Sequence, residues 1–234
     1  MAAPLGLSRA QRDATLNIGY GTLFMLELKQ VTITHAEHEL FVPINCAIAP
    51  GSILTLMGPS GIGKSSLMAA IAGDLQPPLQ LQGDISLQGR RLNEVPIEQR
   101  GVGLLLQDDL LFPHLSVGQN LAFAMPQSYG SQERQQRIEQ FLHEAGLTGF
   151  SQRDVATLSG GQRARVSVLR TLLSEPKVVL LDEPFSRLDQ ALRQRFRDWV
   201  FTTLLAHQVP VLLVTHDAQD CYDDQVIQLE VSGV

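Results

Sequence analysis

Ile53-Leu54-Thr55-Leu56-Met57 runs straight into Gly58-Pro59-Ser60-Gly61-Ile62-Gly63-Lys64-Ser65, after which residues 64–72 take up a helical pattern. A short apolar run bounded by turn residues reads as a buried strand. The order is therefore strand, glycine-rich turn, helix, the opening of a parallel α/β sheet. The turn fits G-x-x-x-x-G-K-[ST] in the context that gives the pattern physical content, and a chance match in a chain of this length is on the order of 1%. Glycines let backbone N–H groups turn inward around a polyphosphate, and the helix N-terminus adds favourable potential there. The candidate nucleotide ligands are thus Gly58, Pro59, Ser60, Gly61, Ile62, Gly63, Lys64, Ser65 and Ser66. Lys64 is expected on the β- and γ-phosphates, the Ser65 hydroxyl on Mg²⁺, and the Ser66 hydroxyl on the α-phosphate.

A second apolar run, Val178-Val179-Leu180-Leu181, ends in Asp182-Glu183 about 120 residues downstream. A buried strand ending in a carboxylate supplies the second Mg²⁺ contact of a P-loop protein, here Asp182, and Glu183 then stands where it can polarise an attacking water. Adjacent acids at a strand end are usually just solvated; the upstream loop is what reverses that reading.

Around these two motifs the chain alternates. Leu26, Leu28, Val31 and Ile33 fall near a period of two, and further strands are predicted at residues 40–47, 81–87, 102–106, 209–214 and 226–231. From about residue 116 to 171 the strand signals stop. Val117, Leu121 and Ala124 mark one helix, and Ile138, Phe141, Leu142 and Ala145 another. Leu188, Leu192, Phe196, Trp199, Val200 and Thr203 form one face of a later helix. The expected fold is an α/β P-loop NTPase core with an antiparallel β edge subdomain and an inserted helical subdomain at about 108–172. Residues 1–24 show no defensible periodicity. They are either a disordered tail or an upstream start, with Met25 the natural one, and 25–234 is the folded unit.

Composition excludes several classes. With 234 residues, folding can take roughly 37,000 Å² of chain surface down to about 10,000 Å², and 44% hydrophobic content argues against disorder. Cys46 and Cys221 stand far apart with no ligand spacing, as in a reducing compartment. No apolar stretch approaches the roughly 20 residues that cross a bilayer. A net charge of −6 is a poor footprint for holding nucleic acid.

Between the two motifs lies Leu158-Ser159-Gly160-Gly161-Gln162, followed by a helix with Arg163 and Arg165. Alone, Ser159 with Gln162 three residues on is a capping box. Preceded by the phosphate loop and followed by the acid-ended strand, it makes the chain resemble the ATP-binding cassette (ABC) family from about residue 25 to the end, and within it the ATPases of bacterial importers. The resemblance implies a Mg²⁺-dependent ATP hydrolase. It implies that Gln107, in Leu105-Leu106-Gln107-Asp108, senses Mg²⁺ and the attacking water; that Glu183 is the catalytic base; that His216, in Val214-Thr215-His216-Asp217, contacts the γ-phosphate; and that Asp189 belongs to the D-loop Ser186-Arg187-Leu188-Asp189. Ser159, Gly160, Gly161 and Gln162 would contact ATP held by a second copy of the chain, head-to-tail.

The family's further implications are membrane permease subunits, a solute-binding protein at the level of the complex, no nucleic acid, and a place on the cytoplasmic face of the membrane. Phe112 and Leu115 are candidates for docking a membrane partner and equally for helical-subdomain core. Two departures stand out. The position after the first strand where the family carries an aromatic that stacks on adenine is His35, an imidazole of smaller area. No regulatory domain is expected after the last strand, unlike in longer sugar or metal importers. A coiled-coil repair or chromosome ATPase is disfavoured by the compact insertion, and a GTPase by the lack of N-K-x-D. A non-hydrolytic module is disfavoured by Lys64, Asp182, Glu183 and His216. Import rests on the family habit of leaving importer ATPases as separate chains; the solute is not legible.

Overall fold

The computed structural model describes residues 25–106, 108–186 and 190–232. The leader 1–24, Gln107 and residues 187–189, with Asp189, lie outside them.

Five parallel strands form the central sheet in the order β10 (Val226–Gln228), β4 (Ile53–Met57), β9 (Val211–Thr215), β8 (Val178–Asp182) and β7 (Val102–Leu105). The inner three are buried along nearly their whole length, as strands covered on both faces must be. Their side chains alternate between two cores. Leu54, Leu56, Leu180, Leu212 and Val214 face Leu67, Met68 and Ile71 of α1 (Lys64–Ala72). Ile53, Val179, Leu181, Val211 and Leu213 face Phe196, Val200 and Leu204 of α5 (Gln190–Ala206).

The antiparallel sheet is built on β1 (Leu26–His35), which pairs with β2 (His38–Glu39), β3 (Ile44–Ile48) and β5 (Gln80–Leu87), while β6 (Arg90–Arg91) pairs with β5. Three helices, α2 (Val117–Ala124), α3 (Ser131–Glu144) and α4 (Gly160–Leu173), enclose a third core around Leu121, Leu142, Leu158 and Leu169. No helix among the described residues is long and apolar enough to cross a membrane.

Two predicted strands need correction. The run 40–47 is split, because Pro43 offers no N–H and Phe41 turns fully into the core. The carbonyl of Phe41 accepts from Thr32 Oγ1 at 2.6 Å, and Val42 N–H donates to the carbonyl of Glu230. The last strand stops at Gln228 rather than 231: Leu229 N–H makes the last bond to β4, at the carbonyl of Met57, and the next carbonyl, that of Glu230, turns to Val42.

Candidate functional site

Strand β4 delivers the glycine-rich loop, and α1 leaves it with no side-chain cap and no acid in its first turn. Its first N–H groups have no intrahelical partner, so this helix start is open to an anion. Gly63, the residue before the helix, has φ +106°, where an L side chain is strained. A Cβ there would lie 3.1 Å from Leu40 and 3.2 Å from Phe41. The bend that breaks the predicted strand is thus what lies against the phosphate loop. At Gly61 a Cβ would meet nothing within 4 Å. Lys64 is only 6% exposed, and its ammonium donates to the carbonyls of Gly58 (2.8 Å) and Pro59 (3.0 Å). The loop backbone therefore aims the lysine back over the residues that would surround a polyphosphate.

Asp182 ends β8 beside this loop. Desolvation pushes its carboxyl above the ordinary carboxylate range, and the neighbouring Glu183 adds to the rise, while a hydrogen bond from Ser65 and the charge of Lys64 oppose it. A hydroxyl and a carboxylate side by side are the hard oxygen donors a small divalent cation takes, with waters and phosphate oxygens completing its shell. Ser65 and Asp182 fit that group.

Glu183 has φ +47°, uncommon for a side-chain-bearing residue, and its N–H donates to the carbonyl of Val214 at 2.9 Å. That turn brings its Oε1 to 3.0 Å from Nδ1 of His216 at the end of β9. A carboxylate can only accept, so Nδ1 carries a proton in this contact and Nε2 is the ring atom left for another partner. Lys64, Ser65, Asp182, Glu183 and His216 thus gather at the C-terminal ends of three adjacent strands, where ligands of open α/β sheets bind. The sequence marks Glu183 and His216 separately; that they bond to each other was missed.

Ser159 caps α4. Its hydroxyl accepts from Gln162 N–H (3.3 Å) and Gln162 Oε1 accepts from Ser159 N–H (2.9 Å), a complete capping box. A Cβ on Gly160 would meet nothing within 4 Å, so this second helix start also opens outward. Among the described residues it makes no hydrogen bond to residues 58–66. His35 is exposed at the end of β1, opposite His38, on the hairpin that continues into Leu40 and Phe41.

The segment after position 107 is fastened to α4. Arg163 pairs with Asp109 at 3.0 Å, Ser167 Oγ and Arg170 donate to the Asp109 carbonyl, and Arg170 donates to that of Leu110. Leu110 and Phe123 are left 57% and 70% exposed, and Phe112 meets Phe123 edge-on at 4.9 Å between centroids. Phe112 and Leu115 are half-buried, and it is Leu111 that packs on the third core. Sequence reasoning missed Leu110 and Phe123. The available signal was a large aromatic lying off the apolar stripe of α2.

Residues 41–186 match the family described as ABC transporter. The chain is 46% identical over 203 residues, 87% of its length and 94% of the relative's, to a protein of Escherichia coli strain K12 named "Uncharacterized ABC transporter ATP-binding protein YnjD". It is 37% identical over 213 residues to the Fe(3+) ions import ATP-binding protein FbpC of Streptomyces avermitilis, covering 90% of this chain and 61% of that one. To FbpC 1 of Pectobacterium atrosepticum it is 36% identical over 198 residues, covering 84% and 55%. Among solved structures, cbiO1 from Clostridium perfringens, described as part of the ABC transporter complex cbiONQ, has the same fold: TM-score 0.76 at 24% identity, over 88% of this chain and 84% of that one.

Proposed function

The chain belongs to the ABC transporter family, in which it is an ATP-binding and ATP-hydrolysing subunit, and we propose that two copies close head-to-tail on ATP to drive solute import through separate membrane subunits. One observation carries the reading. Lys64, Ser65, Asp182, Glu183 and His216 gather at one set of strand ends, while a second anion-ready helix start, at Ser159 and Gly160, bonds to none of them. Each chain then holds a hydrolytic half-site, built on residues 58–66, and a donor half-site, Ser159 to Gln162, that serves its twin.

In that arrangement Lys64 exchanges the carbonyls of Gly58 and Pro59 for phosphate oxygens. Ser65 and Asp182 would hold Mg²⁺, with Gln107 as a further contact; when bound, the ion neutralises charge on the β- and γ-phosphates. Glu183 orients the attacking water and takes its proton, and His216 turns Nε2 toward the γ-phosphate. His35 covers the adenine from the β1 hairpin, and Asp189 lies in the D-loop at the contact between copies. Residues 25–234 act as one ATP-binding unit, with the helical insertion at about 108–172 facing the membrane partner.

Import is supported by the names of the two iron-import relatives, neither of which this chain spans in full. A permease, a solute-binding protein and a position on the cytoplasmic face of the membrane follow from the same reading. The exposed Leu110 and Phe123, with the half-buried Phe112 against Phe123, supply an apolar docking surface next to the segment that carries Gln107.

The test is Glu183→Gln in the purified chain. With ATP it should double its mass in light scattering while turnover falls about 10²–10³-fold, the size of a lost preorganised catalytic contact. Undiminished steady-state hydrolysis by this variant, or efficient hydrolysis by strictly monomeric protein, would overturn the proposal.

A further inference from the structure

Thr215 and Asp217, the residues on either side of His216, both belong to one hydrogen-bonded cluster that ends on Arg193 of α5. Asp217 N–H donates to Thr215 Oγ1 at 3.1 Å, and that hydroxyl donates to Asp220 Oδ2 at 3.1 Å. Asp220 is 2% exposed and receives Arg193 as a fork, Nε to Oδ1 at 2.9 Å and Nη2 to Oδ2 at 2.5 Å. The same Nη2 lies 2.9 Å from Asp217 Oδ2, while Asp217 Oδ1 accepts from Gln219 N–H at 2.9 Å. One helical turn on, Arg197 donates to the carbonyl of Gln219.

Strand β9 does not need this cluster to stay in the sheet, since β4 and β8 pair with it on both sides. Apolar packing of similar volume is often as stabilising as a buried ion pair. A forked guanidinium supplies something else, a fixed distance and a fixed plane. Here it fixes the chain where it leaves β9, at the residue whose ring meets Glu183 and is otherwise half exposed.

We infer that Arg193, acting through Asp220 and Thr215, is a positioning residue for His216: it sets the direction of the strand end so that the imidazole stands against Glu183 with Nε2 free. The inference rests on the proposed role of His216 at the γ-phosphate. Sequence reasoning missed it because Arg193 and Asp220 are 27 residues apart and meet only through the packing of α5 beside β9.

Two full-length variants test it, Arg193→Met and Thr215→Val, the second near-isosteric and leaving the ion pair in place. In nucleotide-free protein, ¹⁵N resonances of the His216 ring, assigned by their loss in His216→Ala, should shift in both variants. In the ATPase assay kcat should fall by about 10- to 100-fold, with KM for ATP held within about twofold. Ring resonances unchanged in both variants, or in Thr215→Val alone should Arg193→Met not fold, overturn the positioning role. So does a loss in which KM rises along with the fall in kcat, tracking lowered melting temperature. Shifted resonances with unchanged kcat uphold the positioning role of Arg193 and instead remove His216 from the reaction, so the failure of one reading is distinguishable from that of the other.

Discussion

Asp182 carries a cost that its proposed metal-holding role explains. Desolvation is the main reason its carboxyl sits above the ordinary range, with Glu183 beside it adding to the rise. A carboxyl whose folded value is raised holds its proton more tightly folded than unfolded. Its contribution is therefore intact below the ordinary carboxylate value and lost as pH rises through the folded value. Asp182→Asn in nucleotide-free protein should melt above the wild type at pH 7, and the gap should close as the pH drops below the carboxylate range. The same variant should lose about 10²–10³-fold in hydrolysis. Melting curves across pH check the first half, and a variant that melts lower at neutral pH would show that the Ser65 bond and Lys64 outweigh desolvation. The identity of these residues was legible in the sequence, because glycine spacing and an acid at a strand end are local signals. The bond between Glu183 and His216 was not, since it spans 33 residues and depends on β8 and β9 being neighbours; hydrophobic periodicity marks strands without ordering them.

The two helix starts differ in a way that separates stability from activity. At Gly63 a methyl group would meet both a positive φ and the side chains of Leu40 and Phe41, whereas at Gly160 it would meet open space. Gly63→Ala should lower stability by about 1 kcal/mol or more and raise the KM for ATP as the loop shifts. Gly160→Ala should leave melting within about 0.5 kcal/mol of wild type while hydrolysis falls, because the added methyl stands where the twin's triphosphate would approach. Equal losses of stability in the two variants would contradict this contrast. The cover over Gly63 also explains the misread strand. Leu40, Val42, Ile44 and Cys46 alternate as a strand would, but Phe41, on the supposed polar face, is fully buried. Only Pro43 gave local warning. Elsewhere the local pattern was sufficient: β4, β8 and β9 read as short continuous apolar runs because they are buried on both faces, and α4 is capped by its own sequence.

Across the whole molecule, the site and the exposed apolar surface are joined by the same helix. Helix α4 begins at Ser159, the proposed donor half-site, and farther along, Arg163, Ser167 and Arg170 fasten the segment 109–110, next to which Phe112 and Phe123 stand edge-on. In the proposed pair, a push on that apolar surface would reach the helix start facing the twin's nucleotide through these bonds to α4 rather than through the central sheet. Phe123 is 70% exposed, so it contributes little to folding, and Phe123→Ser should melt within about 0.5 kcal/mol of wild type. The isolated variant should also hydrolyse ATP normally. An aromatic anchor buried in an interface is worth about 2 kcal/mol or more, a factor of about 30 in affinity, so the variant should be lost from the membrane fraction and from detergent-solubilised complexes that retain the wild-type chain. Full membrane retention of Phe123→Ser, with folding and hydrolysis intact, would move the docking surface away from α2 and cut the link drawn between that face and Ser159.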